Sequence, residues 1–159
     1  MDPLDTRQQS YVEDMGLFFE EYGSQRSVGK VIGALLLTEE LLSQEDLMRL
    51  LSLSRTSTST ALHWATEHLG FVERVNLPGN RKRYYQIHSE VADWLARSNH
   101  EKLEELFELL VIAERLARPG ARARLAPMRE FISFLTQRIE AALAEWEQTH
   151  MQPEAHGGG

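Results

Sequence analysis

Two serines eleven residues apart, Ser43 and Ser54, each stand directly before a helical apolar pattern, and the pattern turns to strand alternation just past Gly70. Little else in the chain limits the fold so tightly. Ser43 is a good N-cap, and Asp46 three residues on gives an approximate capping box for a short helix, Gln44 to Leu51, with Leu47, Leu50 and Leu51 inward. Ser54 opens a longer helix ending near Leu69–Gly70, with Thr58, Leu62, Ala65 and Leu69 at i, i+4, i+7 and i+11. Two helices joined by so short a turn make a helix-turn-helix. From Phe71 the period changes: Phe71, Val72, Arg74, Val75 and Leu77 lead to the turn Pro78-Gly79-Asn80, and Arg83 to Ile87 return. That predicts a two-stranded hairpin. Helix, turn, helix, hairpin is the winged form of the motif.

The composition of this segment is unusual for its surroundings. The chain is acidic, with 17 Lys+Arg against 24 Asp+Glu and a formal net charge of -7. Between Ser54 and His88, however, Arg55, Arg74, Arg81, Lys82 and Arg83 face only Glu67 and Glu73, a balance of +3 against -10 elsewhere. One segment thus has the sign to approach a polyanion, and the rest would repel it. Five hydroxyl residues run from Thr56 to Thr60. Such residues are indifferent helix formers, but short hydroxyls suit a helix pressed into a nucleic-acid groove. Arg55, Thr56, Ser59, Thr60 and His63 are therefore the candidates for base or phosphate contact, while Ser54 and Ser57 cap the helix or touch phosphate. Arg81, Lys82 and Arg83 would follow the phosphate backbone, with Arg81 and Arg83 on one strand face and Lys82 on the other. Tyr84 and Tyr85 read as hairpin packing.

The flanks are helical. From about Thr6 to Tyr22, Tyr11, Met15, Phe18, Phe19 and Tyr22 make one stripe, and a second helix follows from Ser27 to Thr38. Gly29 and Gly33, four apart on it, predict close backbone packing. Beyond the hairpin, "SEVADWLARS" starts a helix that either runs on or breaks near Ser98–His100. "RPGARARLAP" reads as an interruption, and a last helix from Met128 to Gln148 carries Phe131, Ile132, Leu135, Ile139, Leu143 and Trp146. This is more apolar surface than a small winged domain uses, and a second copy of the chain would cover it. The expected organisation is a winged helix-turn-helix domain over 6–88, a helical dimerisation region over 89–150 and a disordered tail over 151–159. The fold class is mostly α with a small β-hairpin wing and dimerisation helices at both ends.

No catalytic site, cofactor or metal site is expected. The chain has no cysteine, no Gly-rich phosphate loop and neither H-E-x-x-H nor G-x-S-x-G. His63 and His68 are five apart, so they do not share a helix face in the i, i+4 manner of a zinc pair. No apolar run approaches a membrane span, and the chain reads as soluble and cytoplasmic.

Three stretches carry a resemblance to a known family: "RSVGKVIGALLL" ahead of the motif, "LSLSR" opening the second helix and "PGNRKRYY" as the wing. Over Glu13 to Ile87 the chain resembles the GbsR/MarR-type winged helix-turn-helix transcriptional regulators. The resemblance implies a homodimer that binds double-stranded DNA at a palindromic operator, often repressing, and often under the control of a small-molecule effector. Tyr11, Phe18, Phe19, Tyr22 and Trp94 are the aromatic side chains available to hold one, although such a stripe reads first as core. The chain departs from the family in two places. Asn80 stands where an acidic residue is usual, and one extra residue lies between Leu62 and Phe71. The competing reading is a winged helix that docks proteins without reading DNA sequence.

Overall fold

The computed structural model describes residues 3–150, the side chains of Asp93, Trp94 and His150 excepted. The expected tail at 151–159 lies outside the described residues. The chain divides after Val91 into two units.

In the first unit, α1 (Thr6–Glu21) starts at Asp5, whose side chain accepts from the N–H groups of Arg7 and Gln8 while Gln8 Oε1 accepts from Asp5 N–H. It lies against α2 (Arg26–Leu36) with the backbones touching: a Cβ on Gly29 would fall 2.1 Å from the Met15 carbonyl oxygen. Gly33 faces the Met15 side chain in the same seam. The predicted close approach is therefore real, and it changes which face of α1 is inside. Val12, Gly16 and Phe19 are buried, whereas Tyr11, Phe18 and Tyr22 of the predicted stripe are exposed. A seam this narrow admits small residues at its centre and leaves bulky rings outside. Glu13 ties the pair from the edge, accepting from Lys30 at 2.6 Å and Arg26 at 2.9 Å.

The helix α3 (Gln44–Leu51) has the predicted bounds, with the Ser43–Asp46 capping box fully formed. Leu47 and Leu51 join Val28, Val31, Ile32 and Leu35 of α2 in the core. The next helix, α4 (Arg55–His63), buries Thr58, Ala61 and Leu62 against them. It does not end as a regular helix. Trp64–His68 form one π-turn, closed by Leu69 N–H donating to Trp64 O at 3.0 Å, before Gly70 turns out at φ 60°. A π-turn absorbs one additional residue inside a helix. The extra residue that the resemblance places between Leu62 and Phe71 would be housed there, and Ala65 is still buried.

The wing pairs β2 (Val72–Asn76) with β3 (Arg83–Ile87), Val72 opposite Ile87 and Asn76 opposite Arg83. This is the hairpin expected, with one addition. A strand β1 (Leu42–Ser43) adds to the other side of β3, so the antiparallel order is β1-β3-β2. Two residues are too few for alternation to show in sequence. The pairing nevertheless fastens the start of α3 to the wing.

The second unit is built from α5 (Val91–Leu116) and α6 (Pro119–His150). The helix α5 runs on through Ser98–His100. The expected interruption is confined to the turn before Pro119, and α6 continues through Pro127 rather than starting at Met128. Pro119 occupies the first position, where a missing N–H costs nothing, while Pro127 deletes one rung of the ladder. Across the two helices Arg129 pairs with Glu114 at 3.1 Å, Arg97 with Glu147, and His100 Nε2 with Glu140 at 3.1 Å. Among the described residues no helix is long and apolar enough to cross a membrane.

Candidate nucleic-acid interface

The N-terminal half of α4 and the loop of the wing carry the predicted residues. Ser54 Oγ accepts from Ser57 N–H at 3.1 Å and donates to Ser57 Oγ at 2.9 Å, so these two hydroxyls hold the helix start. Thr58 is fully buried and donates to the Ser54 carbonyl at 2.9 Å. The side chains of Arg55, Thr56, Ser59 and His63 are exposed, with Ser57 and Thr60 partly so. Gln44 Nε2 donates to the Arg55 carbonyl at 3.1 Å, tying the starts of α3 and α4 together.

Arg81, Lys82 and Arg83 are all exposed. Strand alternation does not govern them as predicted, because only Arg83 belongs to β3 while Arg81 and Lys82 sit in the loop. Asn80 shapes that loop: its Oδ1 accepts from Lys82 N–H and its Nδ2 donates to Tyr84 Oη, each at 3.0 Å. Gly79 supplies the left-handed turn at φ 75°. Tyr85 is buried opposite Leu42, so the tyrosines pack the wing as expected.

The charges sort clearly. Lys82 leans towards Glu45 at 3.6 Å, and Arg74 is held by Glu67 at 3.0 Å. Arg55, Arg81 and Arg83 have no carboxylate partner among the described residues. Behind them, hydrogen bonds from the Ser43 hydroxyl (2.6 Å) and the Ser43 N–H (3.0 Å), with Arg49 beside, hold the Asp46 carboxyl below its usual range against the opposing effect of burial. That fixed negative charge caps α3.

One sequence inference fails here. His63 and His68 do share a face: the π-turn brings their ring centroids to 5.4 Å, and Trp64 stacks on His68 at 4.3 Å and 24°. Counting at 3.6 residues per turn could not show this; the surplus residue was the only signal. Of the aromatic residues available for a ligand, Phe19 packs edge-on to Phe71 in the core, and Phe18 and Tyr22 meet on the outside of α1. The Trp94 side chain lies outside the described residues.

Fold and site together define a winged helix-turn-helix domain. A family model described as the MmpR5-like MarR family transcriptional regulator matches residues 99–150. The HTH-type transcriptional regulator MmpR5 of Mycobacterium tuberculosis is 28% identical over 142 residues, 87% of this chain and 86% of that one. A crystal structure of a transcriptional regulator superposes with a TM-score of 0.79 at 27% identity, covering 89% of this chain and 99% of the other. A MepR mutant from a multidrug-resistant S. aureus clinical isolate aligns at a TM-score of 0.41 and 14% identity, over 81% of this chain and 89% of that one, too distant to inform the site. The chain is thus similar to MarR family transcriptional regulators. The matches speak to the MarR side of the expected resemblance and not to GbsR.

Proposed function

We propose that the protein binds double-stranded DNA as a homodimer, with α4 in the major groove of each half of a palindromic operator and the wing on the adjoining backbone. The observation that carries this reading is the set of exposed, unpaired guanidinium groups, Arg55 on α4 and Arg81 and Arg83 on the wing, in a chain that is acidic elsewhere. Arg55 is the specific reader, since paired bonds from Arg to guanine are worth about 1–3 kcal/mol against a wrong base. Thr56, Ser59, Thr60 and His63 line the same approach, and Ser54 and Ser57 contribute through the cap they form. Arg81, Lys82 and Arg83 supply sequence-independent affinity that falls with salt. Operator occupancy of this kind most simply represses.

The dimer reading is supported by the second unit, where Leu109, Ile112, Leu116, Phe131 and Phe134 are about half exposed or more. A second copy would cover that surface and place the two recognition helices one duplex turn apart, about 34–36 Å. A groove of about 590 Å³ between α5 and α6, lined by Ala96, Leu103, Ile139, Leu143 and Trp146, has the size and apolar lining for a small-molecule effector.

Selection from a random duplex pool at two salt concentrations tests the reading. The expected result is an enriched palindrome with half-sites one turn apart. Arg55→Ala should cost about 1–3 kcal/mol and relax one base position. Arg81→Ala should weaken all duplexes alike and lower the salt slope by about one. Arg55→Ala weakening every sequence equally would remove it as a base reader, and no binding even at low salt would favour the protein-docking alternative.

A further inference from the structure

We infer that His63 and His68 form a two-imidazole chelate for a borderline divalent transition-metal ion, zinc, nickel or copper, on the outward face of the recognition helix. On a regular helix residues five apart diverge, but the π-turn at Trp64–His68 stacks them one turn above the other, as i, i+4 residues are elsewhere. Their ring centroids are 5.4 Å apart with the planes at 75°. Two imidazoles bound at Zn–N distances of 2.0–2.1 Å with a tetrahedral angle between them would have centroids about 5 Å apart. The pair already has that spacing without rearrangement of the backbone.

Three further observations favour a ligand there. Both histidines are exposed, and among the described residues no hydrogen bond or ion pair engages their ring nitrogens, so water could complete the coordination shell. His100 is the contrast, its two nitrogens facing Glu104 at 3.6 Å and Glu140 at 3.1 Å. Arg74 of β2, a strand packed against the π-turn, is neutralised by Glu67 at 3.0 Å, which limits repulsion of an incoming metal. Trp64, stacked on His68, restrains that ring and gives the site an optical reporter. His63 also belongs to the surface assigned above to DNA, so a bound ion would compete with the duplex. That consequence rests on the DNA-binding reading, whereas the chelate does not.

The test uses untagged full-length protein in a His100→Gln background, which removes the His100, Glu104 and Glu140 cluster that could hold an ion in the second unit. Nickel chloride is titrated by calorimetry and by tryptophan fluorescence. His63→Gln and His68→Gln should each weaken binding roughly tenfold or more, since even outer-shell partners of a metal site cost 10–100-fold. Trp64→Phe should lose the fluorescence quench and keep the heat. Circular dichroism verifies that each variant is folded, which exposed positions allow. Unchanged nickel affinity in either histidine variant would overturn the chelate, because one imidazole would then suffice. Nickel binding that needs both histidines but leaves DNA affinity untouched would uphold the chelate and remove His63 from the DNA face.

Discussion

Gly29 has no room for a side chain, because its missing Cβ would lie inside the contact distance of the Met15 carbonyl. Gly29→Ala must therefore part α1 from α2 or distort both, and should cost about 3 kcal/mol or more in urea unfolding, at the upper end for overpacking. At Ser43 the chemistry is polar instead. Ser43→Ala removes a cap and should cost about 1 kcal/mol. The partner carboxyl titrates lower in the folded chain than in the unfolded one, held down chiefly by the Ser43 hydroxyl. The stability it contributes is thus fully present above the unfolded carboxylate range and is lost as pH falls through the lower, folded value. Asp46→Asn should flatten that acidic limb, read as urea midpoints between neutral pH and pH about 3. The small residues at the α1–α2 seam were legible in advance, from glycines spaced four apart on an otherwise apolar helix. The burial of Phe19 rather than Phe18 was not, since both fit one stripe and only the partner helix chooses.

Among the elements, α3 was legible to the residue because its cap, apolar spacing and length all agree. The wing was legible as a hairpin from its Pro-Gly-Asn turn and change of period. Its third strand was hidden, because Leu42 and Ser43 pair with β3 through backbone groups that carry no sequence signature. The π-turn was visible only as one residue too many. Deleting Thr66 should restore a regular helix, in which His63 and the former His68 are four apart and still aligned. That variant should fold, keep the helical circular dichroism of the parent and retain nickel binding. Loss of nickel binding in a folded deletion variant would mean that the turn shapes the histidine pair in some way other than by register. Pro127 misled the reading in the opposite direction. A proline suggests a helix start, yet a helix of 32 residues with contacts along α5 absorbs one lost backbone bond.

Across the whole molecule, the separation of charge is the property most directly tied to function. If the protein binds DNA as proposed, its overall negative charge would keep the chain off nucleic acid except where Arg55, Arg81 and Arg83 are presented, so orientation would be set by exclusion as much as by attraction. The exposed apolar face of the second unit sets the expected assembly. Leu109→Glu combined with Phe131→Glu should shift the protein from dimer to monomer in sedimentation velocity, and DNA affinity should fall with it because two half-sites would no longer be bound together. Persistence of the dimer would move the interface off this face. The sequence by itself determined the order of helices and wing, the caps that set their limits and the placing of positive charge, since each depends on residues near one another in the chain. Only the tertiary structure decided which face of α1 is buried, that Leu42 and Ser43 complete the sheet and that His63 meets His68. Those outcomes depend on which backbone lies opposite and on how a surplus residue is accommodated, and neither is encoded in local periodicity.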